Sequence, residues 1–131
     1  MGERTRTRGE ITIDGIAVDR IRLSICSSCA GERDRDAELR ALQRALDQAG
    51  LNARVQLDQH ACFSSCETPV AIALQGQGLA SYIFAGVDVI TDAEDIAATC
   101  QTYLKSHAGW IEDARPCGRL RMCLRARVPA L

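Results

Sequence analysis

Two short cysteine pairs constrain this chain more than anything else in it. Cys26-Ser27-Ser28-Cys29 and Cys62-Phe63-Ser64-Ser65-Cys66 stand well apart in the sequence, each built around small polar residues that favour turns. Three more cysteines, Cys100, Cys117 and Cys123, bring the total to seven in 131 residues. An odd total argues against a closed disulfide framework. The opening MGERTRTRGE is charged and lacks the apolar stretch of a secretory signal. The expectation is therefore a cytoplasmic protein whose thiols serve metal binding or redox chemistry rather than structural disulfides. The 16 basic and 17 acidic residues leave a formal charge of −1, which excludes a global positive field for nucleic acid. No apolar run approaches the ~20 residues of a membrane span. A chain of this length reads as one domain, 1–131, able to bury a core without disulfides.

Hydrophobic periodicity then places the pairs. Ile11 and Ile13, Asp14-Gly15, then Ile16 and Val18 predict a hairpin inside an N-terminal extension, 1–18. Ile21, Leu23 and Ile25 alternate with polar residues, giving a strand that runs into Cys26. Leu39, Leu42, Leu46 and Ala49 recur at helical spacing before Gly50, so a helix is predicted over 35–49. Ala53, Val55 and Leu57 form a second strand, and a loop with His60, Cys62 and Cys66 follows. Residues 70–84 read as an antiparallel hairpin turning at Gly76 and Gly78. Asp92 heads a second helix whose apolar face carries Ala93, Ile96, Ala97, Cys100, Tyr103 and Leu104. Beyond Gly109, Leu120, Met122, Leu124, Ala126 and Val128 alternate with arginines and Cys123. That period of two predicts an extended tail over 109–131 with an arginine face.

In an open α/β sheet, loops at the carboxyl ends of neighbouring strands converge. The two cysteine pairs are thus expected to face one another across one edge of the domain. Four thiolates so placed form a tetrahedral zinc site or hold a two-iron cluster, one pair per iron. Ser27, Ser28, Ser64 and Ser65 are small enough for backbone amides to approach the sulfurs, and such hydrogen bonds tune a cluster's potential. Phe63 is placed to shield it from water. A third reading is thiol–disulfide exchange by Cys26 and Cys29 at a helix N-terminus, which lowers a thiol pKa, with Thr68-Pro69 before the next strand. Against it, Cys62 and Cys66 would go unused.

The order strand–helix–strand–(Cys-x3-Cys)–strand–strand–helix resembles the thioredoxin-like [2Fe-2S] ferredoxins. More closely, ACFSSCETPVAIALQ, SYIFAGVD, TDAED and the closing ARVPAL are similar to DUF1636, a bacterial family of predicted metal-binding proteins of unknown function. The resemblance runs over about residues 21–131 and is most specific over 61–95. It implies a thioredoxin-like α/β domain with a four-stranded mixed sheet, a β-α-β-β-β-α core and helices packed on it. It also implies Cys26, Cys29, Cys62 and Cys66 as cluster ligands, and pairing into homodimers. The chain departs from the ferredoxins in its short first spacer, which suits zinc equally well, and in Cys117, Cys123 and the N-terminal hairpin.

The remaining residues have plainer expectations. Cys100 reads as a small buried hydrophobe, and Cys117 and Cys123, five residues apart with no third partner, as poor metal ligands. His60 reads as a solvated loop residue, His107 as a favourable charge at a helix C-terminus, and Trp110 as a packing anchor for the tail. Arg115, Arg119, Arg121, Arg125 and Arg127 form either a solvated face or a docking surface for an acidic redox partner. With no nucleophile–base pair, phosphate loop or carboxylate dyad in sight, the expected function is one-electron carriage by a ferredoxin-type [2Fe-2S] protein, not catalysis.

Overall fold

Ile21, Leu23 and Ile25 alternate along one strand with Arg22, Ser24 and Cys26, and this alternation sets the two faces of the main sheet. A computed structural model describes residues 10–13, 16–26, 34–60 and 70–130. Strands β1 (Glu10–Ile13) and β2 (Ile16–Asp19) pair antiparallel as a two-stranded sheet of their own, with Ile13 opposite Ile16. The predicted N-terminal hairpin is present; its Asp14-Gly15 turn lies outside the described residues. Strand β3 (Ile21–Cys26), helix α1 (Arg35–Gln48) and strand β4 (Val55–His60) form a crossover unit with β3 and β4 parallel. Strands β5 (Ile72–Gln75) and β6 (Ser81–Phe84) are the antiparallel hairpin expected over 70–84. Helix α2 (Ala93–Lys105) follows, and strand β7 (Leu124–Val128) closes the order.

The sheet is α/β, mixed and five-stranded, in the order β4-β3-β5-β6-β7. The expectation of four strands is corrected, because the tail strand β7 adds antiparallel to β6 instead of running free. A strand's edge donors and acceptors need partners, and β6 offers β7 an unpaired row. Over 124–128 the extended chain is as expected and its pairing is the new feature, since period two is a property of one strand and says nothing of its neighbour.

A larger correction concerns residues 115–122. The alternation of Leu120 and Met122 with arginines predicts an extended chain, yet Arg115–Met122 is 3₁₀-helical, broken at Gly118. Burial shows why. Cys117, Leu120 and Cys123 are at most 3% exposed, while Met122 is 73% exposed. The inward positions recur every third residue, the period of a 3₁₀ turn. Pro116 suits the first turn, and Gly118 takes a positive φ of 61° there.

The core lies on one face of the sheet. Ile21, Leu23 and Ile25 of β3, Val55 of β4, Ile72 and Leu74 of β5, and Tyr82 and Phe84 of β6 meet Leu42, Ala45 and Leu46 of α1 and Ile96, Ala97, Cys100 and Tyr103 of α2. Each fully buried aliphatic side chain contributes roughly 2 kcal/mol. Helix α1 starts at Asp34, whose carboxylate accepts from the Ala37 amide at 3.0 Å, and stops before Gly50 at φ 73°. Tyr82 ties the segment after α2 to the sheet, donating to the Gly109 carbonyl at 2.9 Å and accepting from the Ile111 amide at 2.7 Å. The opposite face carries Arg22, Ser24 and Cys26. Among the described residues, no helix is long and apolar enough to cross a membrane.

Candidate metal centre

Cys26 is the last residue of β3 and is completely buried. Strand alternation puts it on the face turned away from the helices, where it packs with Ala71 apart from the main core. Its amide donates to the Ala71 carbonyl at 2.9 Å, and in the parallel register it lies beside His60, the last residue of β4. The spacing of neighbouring strands is about 5 Å. His60, expected in a loop, therefore ends a strand: β4 begins at Val55, two residues later than the alternation starts, and continues through His60.

This register bears directly on the two cysteine pairs. The chain leaves β3 at Cys26 toward Cys29, and leaves β4 at His60 toward Cys62 and Cys66. It re-enters the sheet at Val70 and Ala71, on the other side of Cys26. Cys29, Cys62, Cys66, Phe63, the four neighbouring serines and Thr68-Pro69 lie outside the described residues. The strand ends that anchor their segments are adjacent all the same. Four thiols borne by segments that begin at one sheet end, with one of them already withdrawn from water, suit a four-thiolate centre for zinc or for a two-iron cluster. Among the described residues, no three His, Cys, Asp or Glu side chains gather into a metal-binding group. Helix α1 begins at Arg35, and its described N-terminus is occupied by the Asp34 carboxylate rather than by Cys26.

The other three cysteines sit elsewhere. Cys100 is wholly buried on α2 within the helix-side core, as expected. Burial, and secondarily the neighbouring Cys117, push its thiol up to about 12. Burial also raises the Cys117 thiol, partly offset by hydrogen bonds with Thr99 and Thr102. Cys123 is raised by burial too, with Arg119 opposing, and its sulfur lies 3.6 Å from the Arg119 carbonyl and 3.9 Å from that of Gly86. All three stay protonated at neutral pH and belong to the packing.

The arginine face breaks up on inspection. Arg119 Nε donates to Asp92 Oδ1 at 2.9 Å, and its guanidinium also reaches Asp92 Oδ2 and, at 2.8 Å, the Gly86 carbonyl. Its amide donates to Asp95 Oδ2 at 3.1 Å. Asp92 is only 3% exposed and also accepts from the Asp88 amide, so its carboxylate clamps the tail rather than capping α2. The Arg119 guanidinium, then the Asp88 amide, hold the Asp92 carboxyl below its ordinary value against the opposing effect of burial. Sequence reasoning took Asp92 only as a helix start; its partner lies 27 residues on, beyond any local pattern. Arg115 pairs with Asp113 at the surface. Arg127 stacks 3.8 Å above the Trp110 ring, consistent with Trp110 anchoring the tail. Of the five, Arg121 and Arg125 are exposed, and Arg121 adds its charge to that of Arg115 in lowering the Asp113 carboxyl. His107 opens a 3₁₀ turn, His107–Gly109, after α2.

These features define a mixed-sheet α/β domain in which the ends of β3 and β4, from which the chain leads to the two cysteine pairs, are adjacent. Residues 23–130 match the family model described as protein of unknown function (DUF1636), and the chain belongs to that family. No curated protein and no solved structure matches it significantly.

Proposed function

We propose that this protein is a ferredoxin-type carrier of single electrons, holding a [2Fe-2S] cluster through Cys26, Cys29, Cys62 and Cys66. The observation that carries the reading is the parallel register of Cys26 with His60, which brings the origins of both cysteine segments to one sheet end. The strand–helix–strand–strand–strand–helix order of β3 through α2 supports a thioredoxin-like domain, to which β7 is an addition. When bound, such a cluster supplies a one-electron couple at a potential set by its surroundings.

The chain's own part is to hold and shield. Cys26 is fixed at a strand end by its backbone bond to Ala71 and kept from water. Its complete burial also weighs against attack on an external disulfide, which requires an accessible thiolate. Arg121 and Arg125, the exposed remainder of the arginine tail, are the docking charges for an acidic redox partner, raising the encounter rate at low salt. Anaerobically purified protein should be red-brown and bleach on adding dithionite. A colourless protein with stoichiometric zinc would establish a metal-handling site instead. A colourless, metal-free protein with a reducible Cys26–Cys29 bond would establish a thiol–disulfide enzyme.

A further inference from the structure

At the end of β3 remote from Cys26 the sheet carries a second, differently built feature. A cleft of about 400 Å³ opens over Ile21, lined by Arg20, Arg22, Gln56, Gln75 and Gln77. That volume lies within the ordinary range of small-molecule sites. Its construction follows from the register. Arg22 stands beside Gln56 of β4 on one side and Gln75 of β5 on the other, so three neighbouring strands present Gln, Arg and Gln in one row. Arg20, two residues before Arg22, and Gln77, two residues after Gln75, continue the pattern toward the same sheet end. No carboxylate lines the cleft among the described residues. Asp58, one step up the sheet, holds Arg22 Nε at 3.0 Å and so orients that guanidinium.

Arg20 lines the cleft, and its Nε is buried with no acceptor among the described residues. A buried donor on a cationic group without a partner is costly, and proteins leave few of them. A guanidinium fork also matches the paired oxygens of a carboxylate or phosphate. The Gln75 and Gln77 amides add neutral donors and, through their carbonyls, acceptors for hydroxyl groups, while the Gln56 amide donates to the Asp58 carboxylate at 3.3 Å.

We propose that this cleft binds a small oxyanion-bearing molecule, with Arg20 supplying the principal contact and Arg22 and the glutamine row completing it. The site is independent of the metal reading: it shares no residue with the cysteine segments, and Arg22 lies roughly 13 Å along the strand from Cys26. Calorimetric titration of the full chain with citrate and, separately, with inorganic phosphate tests it, against sodium chloride at matched ionic strength. The expected result is saturable binding of at least one anion, weakened at least tenfold in Arg20→Gln and several-fold in Gln75→Ala. Lys105→Gln, an exposed cation on α2 outside the cleft, should bind as the parent does. Citrate alone binding marks a carboxylate ligand, and phosphate alone a phosphoryl ligand. Gln75→Ala changes an exposed side chain, so it keeps the test sharp should Arg20→Gln fail to fold. Absence of saturable binding by both anions, or parental affinity in Arg20→Gln and Gln75→Ala, would overturn the proposal.

Discussion

Cys26 and Cys100 are equally buried and belong to opposite sides of the sheet, and under the proposed function the contrast teaches how one residue type can be put to two uses. Cys100 lies among aliphatic side chains of the helix-side core with Cys117 nearby, and its thiol is pushed up to about 12. Nothing there could use a thiolate. Cys26 lies on the helix-free face at a strand end, packed with Ala71 and flanked by the points where the chain departs toward Cys62 and returns from Cys66. On the proposed function, burial alone would not separate ligand from filler; the face and the end of the sheet would.

The sharpest way to break this comparison is to exchange the two groups' fates. Cys62→Ser or Cys66→Ser should abolish the visible chromophore, and Cys100→Ser should retain it; an absorption spectrum showing the reverse would invert the assignment. Next comes Arg119→Ala, which leaves the buried Asp92 carboxylate with only the Asp88 amide and should cost about 2 kcal/mol in urea denaturation, less than a fully buried pair because Arg119 is half exposed. The clamp also carries a pH signature. Asp92 is depressed in the folded state, so its contribution is present above the ordinary value of 3.8 and is lost as pH falls from there through the lower folded value. The parent should therefore lose stability over that acidic range by more than Arg119→Ala does. Gly118→Ala forces a non-glycine residue into φ 61° and drives its Cβ into the Asp95 carboxylate, a cost of about 2 kcal/mol readable in the same denaturation curves. Smallest is Cys100→Ala, about 1 kcal/mol with colour unchanged.

The legibility of the two regions differs for physical reasons. Periodicity placed α1 and α2, because each turns one face to the core and so writes its period into the sequence, and alternation with turn residues placed the N-terminal hairpin, β3 and the β5–β6 hairpin. It also isolated the cysteine pairs, whose spacing is local. The tail was misread because Leu120, Met122 and Leu124 mimic a strand while the burial that counts runs through Cys117, Leu120 and Cys123. Those three positions, with Pro116 before them, were the available signal. Arg119 with Asp92, and Arg20 with Gln75 and Gln77, could not be read locally, since their neighbours are set by sheet order and by a clamp that spans α2.

The central claim is that two distant cysteine pairs close on one iron–sulfur centre. Quantifying iron and acid-labile sulfide in protein purified without oxygen addresses it most directly. Both should be present, in equal amounts and proportional to the chain. Zinc in their place, or iron without sulfide, would contradict it.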